Sequence, residues 1–358
     1  MKGQFRRSVA GQRPWLGVLL LTAVLLLVPF VAGLGGQAWV RIANFAILYV
    51  FLALGLNIVV GYAGLLDLGY VAFYAVGAYT YALLASPHFG IHLPFWVILP
   101  LGAGLACMFG VLLGAPTLKL RGDYLAIVTL GFGEIVRIFM NNLNAPVNIT
   151  NGAQGITLID PIRIGDFSFS QSGTIFGITL SGPQKYYFLL VVLALLVIVV
   201  NVRLQNSRIG RAWQAIREDE VAAKACGINT RNIKLLAFAM GASFGGIAGG
   251  VFAAMQGFVS PESFSLMESI TILSMVVLGG MGHIPGVILG AVLLTGLPEV
   301  LRYGIEPLQR AVFGRMIVDP ESLRMLVFGL ALVLVMRFRP AGLWPSSQRL
   351  RELAETAD

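Results

Sequence analysis

The chain has 358 residues, of which 57% are apolar and 12% charged, and its mean hydropathy is +0.82. Because a soluble domain carries about 25% charged residues, this composition excludes an ordinary soluble fold and indicates that lipid surrounds much of the chain. The net charge of +8 does not indicate nucleic-acid binding, because the basic residues lie between apolar segments rather than in one cluster.

Ten apolar segments approach the length of about twenty residues that a helix needs to span a bilayer. In chain order they are 15–33, 40–60, 63–85, 94–118, 124–140, 186–202, 235–257, 267–281, 284–302 and 322–338. They predict an all-α fold, a polytopic membrane protein with about ten transmembrane helices. The membrane domain is predicted over 15–340, between tails 1–14 and 341–358. The glycine-rich stretch 61–69 and the short segment 267–281 are open to another interpretation, as re-entrant segments.

The distribution of basic residues predicts which loops face the cytoplasm. The basic N-terminal tail precedes an apolar run too long for a secretory signal, so 15–33 is predicted to be an uncleaved first span. With both termini in the cytoplasm, most of the 25 Lys and Arg residues fall on the cytoplasmic side, as the positive-inside rule requires. Residues 203–234 then form a cytoplasmic loop and 141–185 an outside loop, whose alternating stretch 162–169 predicts a hairpin or short surface helices.

The loop 203–234 contains a stretch with helical periodicity from Gly210 to Ala225. The face predicted to lie on the membrane domain holds Ala212, Ile216, Val221 and Ala222, and the face predicted to lie in water holds Arg211, Arg217, Asp219 and Lys224. Gly227 suits the left-handed position that ends a helix, and Asn229 or Thr230 suits the cap of the next one. The pattern predicts one amphipathic helix parallel to the membrane plane, which by composition alone is an ordinary connector.

Within this stretch the order Glu220-x-Ala222-Ala223-x-x-x-Gly227 resembles the coupling motif of ABC importer permeases. Small residues at its centre let a partner surface approach closely, and the charges around them can set the register by salt bridges. The resemblance implies that the helix sits in a groove of a separate ATPase subunit and transmits its motion to the membrane helices. The predicted coupling residues are Arg211, Arg217, Glu218, Asp219, Glu220, Ala222, Ala223 and Gly227.

Longer blocks in fixed order extend the resemblance. They are Gly61–Tyr79, Leu120–Arg137, Thr150–Ile156, Gln256–Ser263, Val277–Gly282 and Arg339–Leu343. Together they are similar to the branched-chain amino acid ABC transporter permeases, and the block Leu120–Arg137 is similar to that of their M-type subunit (LivM family).

The resemblance implies a subunit of the bacterial inner membrane that imports leucine, isoleucine and valine. Its implied partners, besides membrane lipid, are a second homologous permease, two cytoplasmic ATP-binding subunits and a periplasmic amino-acid-binding protein. Asn151, Gln154 and Glu262 are the candidates for facing the binding protein. Permeases for urea, another small amino acid or a carboxylate share much of the pattern, and a homodimeric pair of permeases is also open.

Ionisable residues within membrane spans are costly and are functional candidates by default. The candidates for the pathway or its gate are Asp67, Glu134, Arg137 and Glu268. Glu134 and Arg137 are three apart and can instead form an ion pair that holds helices together. Asp67 lies among glycines that permit a broken helix, which its carboxylate can instead cap. The regularly spaced glycines of 241–249 and 282–290 predict close helix packing.

The sequence contains no phosphate-binding G-x-x-x-x-G-K-[ST] loop and no arrangement of nucleophile and base typical of a hydrolase. We therefore predict no enzymatic activity, no catalytic residue, and no cofactor or metal. The competing interpretation is a self-sufficient secondary transporter or channel. It requires an intramembrane ion or proton site and leaves the amphipathic helix without a role.

Overall fold

The computed structural model describes residues 25–118, 120, 122–165, 167–175 and 178–313, together with scattered positions from 326 to 344. The predicted N-terminal tail, the start of the first predicted span, most of the tenth (322–338) and most of the C-terminal tail lie outside the described residues. Everything below concerns the described part of the chain.

This part is built mainly of helices. They are α1 (Leu25–Leu34), α2 (Gln37–Asn57), α3 (Val71–Leu84), α4 (Phe95–Thr117), α5 (Asp123–Asn142), α6 (Gly182–Gln205), α7 (Arg208–Glu218), α8 (Glu220–Ala225), α9 (Thr230–Gln256), α10 (Leu266–Gly279) and α11 (Ile284–Phe313). A π-helical turn, Ile58–Tyr62, extends α2, and Gly152–Gln154 and Pro261–Phe264 form short 3-10 helices.

Each predicted span between residues 40 and 302 overlaps a helix, which confirms the all-α prediction. Among the described residues, the helices long and apolar enough to cross a membrane are Gln37–Tyr62, Phe95–Thr117, Gly182–Gln205 and Thr230–Gln256. Leu25–Leu34, Val71–Leu84, Leu266–Gly279 and Ile284–Val300 are shorter apolar helices. α5, which carries Asp123, Glu134 and Arg137, is in neither group. The total of about ten spans therefore stays a prediction.

Two long helices form the centre of the bundle. In their most apolar stretches, 72% of the residues of α2 and of α9 are buried, compared with 33% for α4 and 39% for α6. α9 packs against α2, α3 and α4, and α2 also contacts α6 and α11. α2 and α9 are therefore enclosed by protein, whereas α4 and α6 keep broad exposed apolar faces.

Glycines allow the helices to approach closely. A Cβ atom on Gly249 of α9 would lie 2.6 Å from the backbone nitrogen of Ala78 in α3. A Cβ atom on Gly290 of α11 would lie 2.9 Å from the Cα of Gly279 in α10. Both distances are too short for any side chain, so the close packing predicted for the two glycine series is confirmed.

The loops gather at two ends of the bundle. Residues 206–229, which include α7 and α8, connect α6 to α9 at one end, called here the α7–α8 end. At the other ends of these two helices the Tyr186 hydroxyl donates to the Ala254 carbonyl (3.0 Å). This opposite end, which carries residues 143–181 and 257–265, is called here the hairpin end.

Short antiparallel strand pairs form at the hairpin end. They are β1 (Ala85–Ser86) with β2 (Ile91–His92), β3 (Ile156–Thr157) with β8 (Phe258–Val259), β4 (Arg163–Ile164) with β5 (Phe167–Ser168), and β6 (Gly173–Ile175) with β7 (Ile178–Leu180). The β4–β5 pair confirms the hairpin predicted within 162–169. The predicted loops 203–234 and 141–185 are centred on opposite ends of the bundle, and their sides of the membrane stay predictions.

The third predicted span is interrupted. After the π-helical turn the backbone is non-helical over residues 63–70, called here the interrupted segment, and α3 begins only at Val71. Gly64 has a φ of +68°, a conformation that favours glycine. The segment passes from the exposed Gly64 to the buried Gly69 and Tyr70, so it enters the interior of the bundle.

Replacing Gly249 by valine should prevent α3 and α9 from packing, because the new side chain would overlap the backbone of α3. Overpacking of this kind costs about 1–3 kcal/mol. We expect detergent-solubilised Gly249→Val to aggregate or to unfold at a clearly lower temperature, measured by size-exclusion chromatography after heating. The control is Gly104→Val in α4, where no described atom lies within 4 Å of the Cβ position. An equal loss in both variants would contradict the packing argument.

Candidate functional site

The connection between α6 and α9 is capped at each helix boundary. Ser207 begins α7 by accepting a hydrogen bond from the backbone N–H of Gly210 (3.1 Å). Gly227, with a φ of +83°, follows α8. Asn229 begins α9 by accepting from the backbone N–H of Asn232 (3.2 Å). The roles predicted for Gly227 and for Asn229 are confirmed.

The prediction of one continuous helix from Gly210 to Ala225 is wrong, because the helix is interrupted at Asp219. Asp219 has extended backbone angles (φ −152°, ψ 112°), and its carboxylate accepts from the backbone N–H groups of Val221 (2.7 Å) and Ala222 (3.0 Å). An aspartate side chain satisfies the free N–H groups at a helix start better than it fits a helix interior. Asp219 therefore caps α8, and it is not simply a charge on a water-facing surface.

The buried face of the connection differs from the predicted one. Trp213 is fully buried and its indole N–H donates to the Ile233 carbonyl (2.7 Å), and Ile216 and Ala223 are buried as well. Val221, predicted to lie on the membrane domain, is 70% exposed, and Ala222 is exposed too. The spacing of residues 213, 216, 220 and 223 is the signal that could have identified this face from the sequence.

The two arginines predicted to face water lie differently. Arg211 is exposed, as predicted, and its Nη1 donates to the Asn206 carbonyl (3.1 Å). Arg217 is partly buried and turned toward the bundle, where its Nη1 donates to the carbonyl of Gly61 in the π-helical turn. The prediction that Arg217 faces water is therefore wrong, and its predicted part in coupling stays untested. A guanidinium carries five donors and suits a carbonyl where a helix ends.

Glu220 anchors α8 to α9. Its carboxylate lies 2.7 Å from the ammonium of Lys234, 3.3 Å from that of Lys224, and accepts from the hydroxyl of Thr230 (3.2 Å). The hydrogen bond from Lys234 is the main reason that the pKa of Glu220 falls from its ordinary value near 4.5 to about 2. Glu220 is thus a partly buried anion held by two ammonium groups, and Lys234 is a partner that the motif alone did not indicate.

The break after α2 and the turn after α10 meet at the α7–α8 end. The Asn57 side-chain oxygen accepts from the backbone N–H of Gly282 (2.8 Å). A Cβ atom on Gly61 would lie 2.7 Å from the Gly282 nitrogen, so glycine is required for this approach. Both backbones lie beside the guanidinium of Arg217.

Asp67 is fully buried within the interrupted segment. One carboxylate oxygen accepts from the backbone N–H of Gly69 (2.9 Å), and the other has no hydrogen-bond partner among the described residues. The neighbouring N–H of Leu68 donates to the Thr129 hydroxyl of α5 (3.0 Å). Asp67 therefore caps the turn before α3, and its part in a pathway stays a prediction.

Glu268 lies in the first turn of α10, beside Tyr49 of α2 and Tyr74 of α3. The hydroxyl of the next residue, Ser269, accepts a hydrogen bond from the backbone N–H of Val71 at the start of α3 (3.1 Å). The first turns of α3 and α10 therefore meet inside the bundle. The role of Glu268 in a pathway is likewise untested.

Glu134 and Arg137 form the predicted ion pair on α5, with 2.5 Å between Glu134 Oε1 and Arg137 Nη2. Arg137 also reaches Glu262 in the turn before α10 (3.0 Å). The sequence did not indicate this pair, because Glu262 lies 125 positions from Arg137. The arginine therefore links α5 to the hairpin end through two carboxylates.

The residues predicted to face a binding protein gather at the hairpin end. Asn151 adjoins the 3-10 helix Gly152–Gln154, and Glu262 lies in the 3-10 helix Pro261–Phe264. The two short helices contact each other beside the β3–β8 pair. Gln154 and Glu262 are exposed, and Asn151 is half-buried with its side-chain amide donating to the Gly155 carbonyl (2.9 Å).

Comparisons with known proteins agree with this architecture, which is that of a multi-pass membrane protein. The family described as "Branched-chain amino acid transport system / permease component" matches residues 38–336. The high-affinity branched-chain amino acid transport system permease protein LivM of Escherichia coli (strain K12) is 44% identical over 354 residues, 95% of this chain and 77% of that protein. The chain therefore belongs to this family of permease components.

More distant relatives extend the comparison. The probable branched-chain amino acid transport permease protein LivM of Methanocaldococcus jannaschii is 29% identical, over 83% of this chain and 90% of that protein. The permease protein LivH of Escherichia coli (strain K12) is 26% identical, over 71% of this chain and 81% of that protein. No solved structure matches the chain.

The ion pairs of Glu220 predict a pH-dependent contribution to stability. Because its pKa is lowered in the folded protein, the contribution is complete above about pH 4.5 and is lost as the pH falls toward 2. At pH 7, Glu220→Gln should lower the free energy of unfolding by about 1–3 kcal/mol. The measurement is the unfolding temperature of the unmodified protein and of Glu220→Gln in detergent, at pH 7 and at pH 3. We expect the difference between the two proteins to be smaller at pH 3 than at pH 7. A gap of the same size at both values would contradict the role of the ionised carboxylate.

Proposed function

We propose that this chain is the M-type permease subunit of an ABC importer that moves leucine, isoleucine and valine across the bacterial inner membrane. Two separate cytoplasmic ATPase subunits supply the energy, and a periplasmic binding protein delivers the amino acid. The family match over residues 38–336 and the 44% identity to a LivM protein support the transport role. The similarity to both LivM and LivH supports pairing with a second homologous permease.

The orientation follows from charge. The basic residues from the last turn of α6 to the first turns of α9 are Arg203, Arg208, Arg211, Arg217, Lys224, Arg231 and Lys234. A loop so rich in Lys and Arg favours the cytoplasmic side. The hairpin end then faces the periplasm, with Asn151, Gln154 and Glu262 toward the binding protein, and the N- and C-termini lie in the cytoplasm.

The α7–α8 connection is the part of the chain that engages the ATPase. The observation that carries this proposal is its construction: two short helices, anchored inward by Trp213 and by the Glu220–Lys234 ion pair, join two long membrane helices. Their opposite face presents Val221 and Ala222. A rigid connection of this kind transmits a displacement of the ATPase to α6 and α9, whereas a flexible loop would not.

Apart from Arg217, which turns toward the bundle, the predicted coupling residues divide into two sets by where their side chains lie. Arg211, Glu218 and Ala222 lie on the exposed surface, where they contact the ATPase groove. Asp219, Glu220, Ala223 and Gly227 shape and anchor the connection. The coupling motif therefore combines a docking face with the contacts that keep this face rigid.

The transport pathway runs beside the interrupted segment and α5. Asp67 and Glu268 line its interior, and the group of Glu134, Arg137 and Glu262 stands at its periplasmic mouth. The partly exposed Glu134 supports this placement, because a carboxylate at membrane depth is costly against lipid and tolerable beside a water-filled path.

A bulky residue on the exposed face of α8 should block ATPase docking. We expect Val221→Trp, expressed with the second permease and the ATPase subunits, to reduce both ATPase co-purification and ATP-driven leucine uptake by about tenfold, a loss of about 1.4 kcal/mol in binding. The control is Val192→Trp on α6, since the two valines are similarly exposed (70% and 63%). Full ATPase co-purification and uptake by Val221→Trp would refute the proposed docking face, and uptake without any ATPase would refute the importer assignment.

A further inference from the structure

Two interruptions of helical structure converge beneath the α7–α8 connection. One is the glycine-rich exit of α2, at Gly61 and Gly64, and the other is the turn after α10, at Gly282. The hydrogen bond from the Gly282 N–H to the Asn57 side chain (2.8 Å) joins them across 225 residues of sequence. The contact involves main-chain atoms of a glycine, so the two backbones must stay in register.

Arg217 is the side chain of α7 that reaches both interruptions. Its Nη1 donates to the Gly61 carbonyl, and the same atom lies 3.3 Å from the position that a Cβ on Gly282 would occupy. Its aliphatic part covers Gly64, where a Cβ atom would lie 2.8 Å from Arg217 Cγ. One side chain therefore binds the Gly61 carbonyl just before the interrupted segment, packs on Gly64 within it, and lies beside the Gly282 turn that follows α10.

The interrupted segment and α10 form a closed path inside the bundle. At the α7–α8 end they are joined through Asn57 and Gly282, and deeper in the bundle the Val71 N–H donates to the Ser269 hydroxyl (3.1 Å). Asp67, with one unpartnered carboxylate oxygen, lies on this path. A displacement of the Gly61–Gly282 junction is thus transmitted to Asp67 from two directions.

We propose that Arg217 is the positioning residue through which the α7–α8 connection moves the interrupted segment and α10 together. The inference rests on the proposed function, since it needs an ATPase to displace α7. It assigns Arg217 to the membrane side of the coupling step, away from the ATPase groove. When α7 shifts, the guanidinium pulls on the Gly61 carbonyl. The close approach of Gly61 to Gly282 and the Asn57–Gly282 hydrogen bond carry this displacement to the turn after α10, and the surroundings of the buried Asp67 carboxylate change.

The test separates ATPase docking from transmission. The unmodified chain and Arg217→Gln are each reconstituted in proteoliposomes with the second permease, the ATPase subunits and the binding protein. ATPase co-purification, ATP hydrolysis and uptake of radiolabelled leucine are measured on the same preparations. We expect Arg217→Gln to keep co-purification and to hydrolyse ATP within about twofold of the unmodified complex, while uptake falls about tenfold, as loss of a charged hydrogen bond predicts.

Two further variants exclude a general effect of lost charge. Arg208→Gln removes an exposed cation from the same helix and should leave all three readouts unchanged. Arg217→Lys keeps one charged donor and should recover part of the uptake, although it lacks the planar fork of arginine. Uptake by Arg217→Lys as low as that of Arg217→Gln would contradict the role of the donor.

A second approach leaves Arg217 in place and displaces it. Gly64→Ala should reproduce the uncoupling, because its Cβ would push against the arginine side chain. The matched control is Gly90→Ala, since Gly90 has nearly the same backbone angle (φ +66° against +68°) but no described atom within 4 Å of its Cβ position. Both alanines adopt nearly the same unfavourable φ, and only the one at position 64 meets the Arg217 side chain.

The outcomes distinguish the two proposals. If the unmodified complex imports leucine with ATP and Arg217→Gln does so equally well, the role of Arg217 is refuted and the importer assignment stands. If co-purification, hydrolysis and uptake all fall together in Arg217→Gln, the arginine serves docking or folding, and the inference is again refuted. If the unmodified chain neither binds the ATPase subunits nor depends on ATP, the proposed function itself fails.

Discussion

The interrupted segment, residues 63–70, leaves helical geometry inside the bundle, where its backbone polar groups must find partners in the protein. The partners come from several elements: the Val59 carbonyl accepts from Leu65, the Thr129 hydroxyl from Leu68, and the Asp67 carboxylate from Gly69. Where α3 begins, the Ser269 hydroxyl accepts from Val71. These elements are α2, α5, the segment itself and α10. Satisfying one break in a helix therefore fixes how three helices are placed around it.

The α7–α8 connection packs beside the interrupted segment and is itself held in place by buried contacts. Removing a buried aromatic side chain such as Trp213 costs about 3–5 kcal/mol, so α7 is firmly seated. Glu220 adds two ion pairs, one of them to the largely buried ammonium of Lys234. Arg217 extends from α7 to the Gly61 carbonyl, so the connection contacts the break directly. The hairpin end has a similar bridge in Arg137, which joins α5 to the turn before α10.

Much of the fold was predictable, because local patterns govern it. The apolar segments, the cap at Asn229, the C-terminal glycine at 227 and the i, i+3 pair of Glu134 and Arg137 depend on residues at most a few positions apart. Errors arose where a side chain had two local options. An aspartate at position 219 is compatible with a charged helix surface and with a helix cap. In the structure it caps α8, because its carboxylate accepts from the backbone N–H groups of Val221 and Ala222. Trp213 was overlooked although its spacing with Ile216 marks a buried face.

By itself, the sequence determined that this is a helical multi-pass membrane protein, where most of its apolar helices lie, and which segment between α6 and α9 resembles the coupling motif of ABC importer permeases. Tertiary structure alone decided that Arg217 turns inward to Gly61, that Asn57 binds Gly282, and that Glu262 joins Arg137. The residues of these pairs lie 156, 225 and 125 positions apart. Hydropathy and periodicity indicate which face of each helix is buried. They carry no information about which buried polar groups form contacts once the helices have packed.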